Sequence, residues 1–278
     1  MNESPITQLQ GEHSEIMKGG KLGYKLQRYG AIFKELKNWP EYLAFKMGIH
    51  PGKDFVFTFK DGHVYRVPKK MIGPFRECFF DDQYMLHFDV QGFPKDPVIF
   101  DVGANVGYAA LYFFRCFPNA TVHSFEPMPF LQQLMKKHKA QYPGHHWNQH
   151  PFGLWKEDGH MDIFTDAPDD FTSISGIAHF ENAVHKVSIQ VMALSTFINE
   201  NKIDTIDLLK MDCEGAEYDI LFNLPENYFS RIKRMAMETH ETQQYTTVEM
   251  AAFLLAKGYQ VKYVTRPATR TGHVWAWK

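Results

Sequence analysis

Two groups of residues in this 278-residue chain have the types and spacing to do chemistry. The first lies in VIFDVGANVGYAALYFF, where Asp101 ends an apolar run, Gly103, Asn105 and Gly107 follow, and a helical pattern begins directly after. Glycine lets a backbone approach a ligand closely, and the free N–H groups of a helix start attract a carboxylate or a phosphate. Nineteen residues past Gly107, Glu126 closes the next apolar run in SFEPMP. A carboxylate at that point can accept hydrogen bonds from both hydroxyls of a ribose. Strand, acid, glycine loop, helix, strand and second acid are, in that order, the parts of a nucleoside crevice at the carboxyl edge of an open sheet.

The second group sits near the ends of two later apolar runs. Asp212 ends IDLLKMD, with Glu214 and Glu217 behind it, and Glu238 and His240 end IKRMAMETH. Period-two alternation places Lys210 with Asp212, and Glu238 with His240, on common faces. Neighbouring strands lie about 4.8 Å apart, so Asp212, Glu238 and His240 are expected to converge as catalytic residues. Such a cluster can deprotonate a hydroxyl, with His240 as the base because an ordinary imidazole titrates near neutrality. It can hold a divalent cation that acidifies the hydroxyl, although the spacing assigns no metal ligand. It can also simply orient hydroxyls. The plainer alternative has Asp212 capping the following helix, Glu214 at that helix's positive end, and Glu217 on the surface or paired with Lys210. The His145-His146 pair shows no ligand spacing and is expected on the surface.

The elements that must position these groups alternate from Pro97 onward. PVIFDV is followed by a helix near 106–117, ATVHSF by a helix near 130–141, and a short strand near 147–152 by an irregular insertion reaching about 185. KVSIQVM is extended, and 194–201 is helical. IDLLKMD precedes a helix at 214–222, and IKRMAMETH precedes one at 247–257. YQVKYVT and GHVWAWK close the chain with no helix between them. Strands separated by helices of crossover length imply a parallel sheet with helices on both faces, and the last pair implies one antiparallel strand. Residues 1–96 read differently. A polar start leads to a helical stripe at Leu22, Leu26, Tyr29, Phe33 and Leu36, and DFVFTFKDGHVYRV then alternates about Asp61-Gly62, a hairpin signal. This extension is expected to pack on the core, or to serve as a lid or an oligomer contact. Residues 97–278 form the domain that holds the crevice.

Composition narrows the partners. A formal charge of −2 gives no support for nucleic acid as a partner, which would favour a basic face. Three cysteines, Cys78, Cys116 and Cys213, make neither a disulfide framework nor a zinc pattern, which favours a reducing compartment. With no signal-peptide core and no transmembrane run, the expected address is the cytoplasm.

Two cofactors fit the first loop. A nicotinamide dinucleotide wants G-x-G-x-x-G or A, but aligned on Gly103 this chain has Asn105 and Tyr108 at the second and third positions, and a tyrosine obstructs the close helix contact. S-adenosylmethionine has no pyrophosphate. Its ammonium group finds a counter-charge in Asp101, and Phe152 is placed to wall the adenine slot. The run FDVGANVGY, the SFEP at 124–127 and above all IDLLKMDCEGAEYDIL at 206–221 resemble the FkbM family of methyltransferases. FGLWKEDG at 152–159 and the SIS at 173–175 are weaker likenesses, and Ser195 stands where family members commonly carry aspartate. The resemblance implies a Rossmann-like class I methyltransferase fold, with a mostly parallel seven-stranded sheet and a C-terminal antiparallel hairpin. It implies S-adenosylmethionine-dependent O-methylation of a hydroxyl on a sugar, glycan or natural product. A nicotinamide-dependent oxidoreductase and a non-catalytic module that keeps the fold are the alternatives. Asp101, Gly103, Asn105, Gly107, Glu126 and Phe152 are then expected to hold the cofactor, while the insertion at 166–185 covers the acceptor.

Overall fold

The computed structural model describes residues 20–49, 52–81, 83–165, 175–176 and 185–278, with the side chains of 20–27 and 175–176 excepted. The chain divides between Leu86 and His87 into two compact units. The first contains α1 (Gly20–Glu35), α2 (Trp39–Lys46), the antiparallel pair β1 (Asp54–Thr58) and β2 (Val64–Pro68), and α3 (Ile72–Phe79). Its core is aromatic: Phe57 stacks on Phe75 at 4.5 Å and Phe75 on Phe79 at 4.2 Å. The hairpin is closed by a wider loop than a two-residue Asp-Gly turn. Phe59 N–H donates to the His63 carbonyl across Lys60-Asp61-Gly62, and of the Asp-Gly pair it is Gly62 that is left-handed, at φ 96°. That is the three-residue hairpin with a glycine bulge. In the helical stripe Leu36 is buried and Phe33 is exposed, while the side chains of Leu22 and Leu26 lie outside the described residues.

The second unit carries the crevice. In chain order it runs β3 (Val98–Val102), α4 (Tyr108–Cys116), β4 (Thr121–Phe125), α5 (Pro129–Gln141), β5 (His146–His150), β6 (Gly153–Trp155), β7 (Gly159–Thr165), β8 (Ser175–Gly176) and β9 (His185–Ala193). Then follow α6 (Leu194–Glu200), β10 (Leu208–Met211), α7 (Ala216–Phe222), β11 (Arg234–His240), α8 (Thr247–Ala256), β12 (Gln260–Arg266) and β13 (Thr271–Trp277). Seven strands form one sheet in the order β12-β13-β11-β10-β3-β4-β5, all parallel except β13, which runs antiparallel to both neighbours. The strand order reverses between β3 and β10, where an open α/β sheet parts its loops to admit a ligand. Every residue of β10 is buried, as a central strand covered on both faces requires.

The segment after β5 is more regular than the sequence pattern suggests. Here β6, β9, β7 and β8 make a second, four-stranded sheet in that order. Within it Ile163, Ile189 and Val191 are buried while His160, Asp162 and Gln190 are exposed, the alternation of a sheet with one covered face. Residues 166–174 and 177–184, which hold most of the expected acceptor cover, lie outside the described residues. Among the described residues no helix is long and apolar enough to cross a membrane.

Candidate active site

The tip of β3 is fixed by a buried ion pair rather than left open to a ligand. Asp101 and Lys210 are opposite each other in the β3–β10 register, and Lys210 Nζ lies 2.9 Å from Asp101 Oδ1. Lys210 also donates to the carbonyl of Gly103 at 2.9 Å, and Ser124 Oγ donates to Asp101 Oδ2 at 3.3 Å. The Asp101 carboxylate is fully buried and paired with Lys210, and it is not among the residues lining the cleft. It ties the loop to the sheet.

The two glycines likewise make room for the protein's own atoms. Gly103 has φ +72°, and a Cβ there would stand 1.8 Å from the Asp212 carbonyl oxygen. Gly107 has φ +88°, and a Cβ there would meet the Trp147 ring at 2.5 Å. Gly103 thus lets the β3 loop press against the end of β10, and Gly107 lets α4 begin over Trp147. Asn105 lies between them in the left-handed region at φ 51°.

Glu126 is the polar centre of this half of the cleft. Its Oε2 accepts the Asn105 N–H at 2.8 Å and its Oε1 accepts the Met128 N–H at 2.9 Å. Burial pushes its pKa up to about 7 against the pull of those two hydrogen bonds. Beside it, Asn105 Oδ1 is buried with no hydrogen-bond partner.

A cleft runs from this point between the two sheets. Gly103, Asn105, Phe125, Glu126, Asp212, Cys213 and Glu214 line one side, and Trp155, Met161, Ile163, Ile189 and Val191 line the other. Among the described residues lining it there is no lysine or arginine, so it offers acceptors and apolar surface. That set suits a ligand with hydroxyl and ammonium donors and a flat apolar part. It does not suit a pyrophosphate, the more so because the Asn105 N–H is given to Glu126.

The carboxylate cluster also assembles differently from expectation. Asp212 lines the cleft, but it does not cap α7, whose N-cap is Gly215 at φ 103°. Glu214 faces the cleft from a left-handed backbone at φ 54°. Glu217 is fully buried, accepting the N–H groups of Cys213 at 2.9 Å and Gly215 at 3.0 Å, so it is neither a surface residue nor the partner of Lys210. His240 lies between carboxylates, with Nδ1 3.3 Å from Glu217 Oε1 and Nε2 3.3 Å from Glu214 Oε2. Burial pulls its pKa down, but the hydrogen bond and charge of Glu217 and the charges of Glu214 and Asp212 outweigh that and raise it to about 10. Burial raises Glu214 to about 8. Carboxylates on both ring nitrogens favour the protonated ring, which weighs against a neutral His240 base.

Glu238 turns toward the C-terminal strands, 3.8 Å from Arg266 Nη1 of β12 and 3.9 Å from His273 Nε2 of β13. Phe152 is partly buried against Phe125, His150 and Phe197 and is not among the residues lining the cleft. His145 is stacked on Phe114 at 4.2 Å, whereas His146 is exposed. Of the nine expected site residues the structure gathers Gly103, Asn105, Glu126 and Asp212 on the cleft wall, with His240 one contact behind Glu214. Asp101 and Gly107 support the loop from below.

The apolar far wall went unread in the sequence. Its signal was the alternation Met161, Ile163, Thr165 in GHMDIFT, matched by Ile189 and Val191 in VSIQVMA. Lys210 was noted for its face but not as the anchor of the first loop.

Comparison with known proteins agrees with this architecture. Methyltransferase 1 of Beauveria bassiana is 29% identical over 210 residues, spanning 69% of this chain and 82% of the relative. The 31-O-demethyl-FK506 methyltransferase FkbM of Streptomyces tacrolimicus is 27% identical over 220 residues, 67% of this chain and 81% of the relative. The crystal structure of Methyltransferase FkbM from Methylobacillus flagellatus superposes with a TM-score of 0.53 at 13% identity, covering 98% of this chain and 58% of that one; it shows the class I methyltransferase fold. The model of the methyltransferase FkbM domain matches residues 101–261, more than half of the chain, and the protein therefore belongs to the FkbM family of methyltransferases.

Proposed function

We propose that the cleft binds S-adenosylmethionine and that the protein transfers its methyl group to a hydroxyl of a sugar, glycan or natural product. The observation that carries the cofactor assignment is the pairing of a buried, cleft-facing Glu126 with the orphaned Asn105 Oδ1, with no basic residue among the described residues lining the wall. Glu126 keeps lone pairs beyond those used by Asn105 and Met128, enough to accept from ribose hydroxyls, and Asn105 Oδ1 is an acceptor for the ammonium group. Met161, Ile163, Ile189 and Val191 cover the adenine. The bound cofactor supplies an electrophilic methyl carbon on a sulfonium.

The chain's remaining task is positioning, since holding two reactants in line contributes on the order of 7–11 kcal/mol. The acidic end of the cleft, at Asp212 and Glu214, receives the acceptor hydroxyl, with Glu238 and His240 behind. The FK506 methyltransferase acts, by its name, on an oxygen of a natural product, which favours an oxygen acceptor here. An oxidoreductase reading is disfavoured by the absence of a basic group among the described residues lining the cleft.

Incubation of the protein with S-adenosylmethionine bearing a deuterated methyl group and a pool of hydroxylated natural products tests the reading. We expect a product carrying the intact label on oxygen. Label found on nitrogen or carbon alone would contradict O-methylation.

A further inference from the structure

We propose that Asp212, Glu214 and His240 bind a divalent cation of the Mg2+ or Mn2+ class at the acceptor end of the cleft. The use of such a cation rests on the methyl-transfer reading. Its placement rests on geometry. One oxygen from Asp212, one from Glu214 and one ring nitrogen of His240 all lie within 4.8 Å of one another. Neighbouring ligands of an octahedral cation at about 2.1 Å stand roughly 3 Å apart, and Glu214 Oε2 is 3.3 Å from His240 Nε2. The Asp212 oxygen lies within 4.8 Å of both. Carboxylates with one imidazole and no thiolate select a hard or borderline ion.

The surroundings are those of a metal-binding imidazole. Glu217 Oε1 faces His240 Nδ1 at 3.3 Å and is itself held by the N–H groups of Cys213 and Gly215. A carboxylate on the far ring nitrogen fixes the ring and presents the other nitrogen to an ion, which takes the place of the Nε2 proton as that proton leaves to solvent.

A separate observation comes from β13. His273 is 2% exposed, and neither of its ring nitrogens has a hydrogen-bond partner. Its Nε2 lies 3.9 Å from Glu238 Oε2, too far for a hydrogen bond, and the charges of Arg266, Asp212 and His240 act on its ring. Buried polar atoms in proteins are nearly always satisfied. A buried imidazole without a partner beside a cluster of carboxylates points to a group that arrives with the ligand, such as a water carried by the cation or the acceptor hydroxyl.

A cation here lowers the pKa of the acceptor hydroxyl, as bound cations do for water. The hydroxyl proton leaves to solvent, the oxygen forms the new bond to the methyl carbon, and the electrons of the carbon–sulfur bond go with sulfur. The products are the methyl ether and S-adenosylhomocysteine.

The test uses the full chain stripped of metal, titrated with Mn2+ and followed by electron paramagnetic resonance, with S-adenosylhomocysteine binding measured in parallel by calorimetry. We expect one Mn2+ per chain, displaced by Mg2+, with affinity at least about tenfold weaker in Asp212→Asn and Glu214→Gln. Absence of Mn2+ binding in a chain that binds S-adenosylhomocysteine overturns the cation site and leaves the methyl-transfer reading standing. So does unchanged Mn2+ affinity in both variants. Mn2+ binding that is sensitive to both substitutions, in a chain blind to S-adenosylhomocysteine, supports the site and counts against the methyl-transfer reading instead. Should a variant fail to fold, the stoichiometry and Mg2+ competition of the unaltered chain decide the matter.

Discussion

Glu126 has both carboxylate oxygens on backbone N–H groups and still faces the cleft, so it is at once the brace of the first loop and its chief acceptor. Replacing it with alanine is expected to weaken S-adenosylmethionine binding at least tenfold; unchanged affinity by calorimetry would remove it from the site. Its pKa adds a sharper check. Burial raises the group to about 7, so the proton is lost as pH rises through that value, and an ionised carboxylate is the better acceptor of ribose hydroxyls. Cofactor affinity should rise between about pH 6 and 8 in the unaltered protein, and Glu126→Gln should flatten the rise.

His240 makes the opposite kind of statement. Its pKa is raised on folding from 6.5 to about 10, so the charged ring stabilises the fold fully below 6.5, and that contribution is lost as pH climbs through 10. Urea melts of metal-free protein should therefore show the penalty of His240→Gln shrinking from pH 6.5 toward pH 10. A penalty that grows over that range contradicts the imidazolium assignment.

At the scale of elements, β3 and β10 act as one piece through Asp101 and Lys210. Removing one partner of a buried pair leaves the other charge stranded, at a cost of about 3–5 kcal/mol. Lys210→Met should lower unfolding stability by that order in denaturant melts, and a change under 1 kcal/mol would show the pair to be unimportant. The sequence made the order of strand, loop, helix and acid legible because those elements are long enough to show their period, and the acids fall at strand ends. It left the packing of Asp101 and Phe152 unread because alternation tells which face a side chain takes but not which neighbour meets it there. Asp101 meets Lys210 from β10, and Phe152 meets Phe125 and Phe197. The second sheet was only half legible: β7 and β9 alternate over seven and nine residues, but β6 has three residues and β8 two, too few to show a period and complete the sheet. The setting of His240 was hidden because its two carboxylate neighbours come from the α7 region, out of sight in its own strand.

For the whole molecule, the crevice lies where the strand order turns, between a carboxyl edge that supplies acceptors and a second sheet that supplies apolar cover. The central claim is that this cleft takes the sulfonium nucleoside with its ribose on Glu126. A crystal structure of the full chain with S-adenosylhomocysteine tests it most directly. The account predicts both ribose hydroxyls within hydrogen-bond distance of Glu126, and the adenine against Ile163, Ile189 or Val191. A ligand bound elsewhere, or a ribose directed away from Glu126, would contradict it.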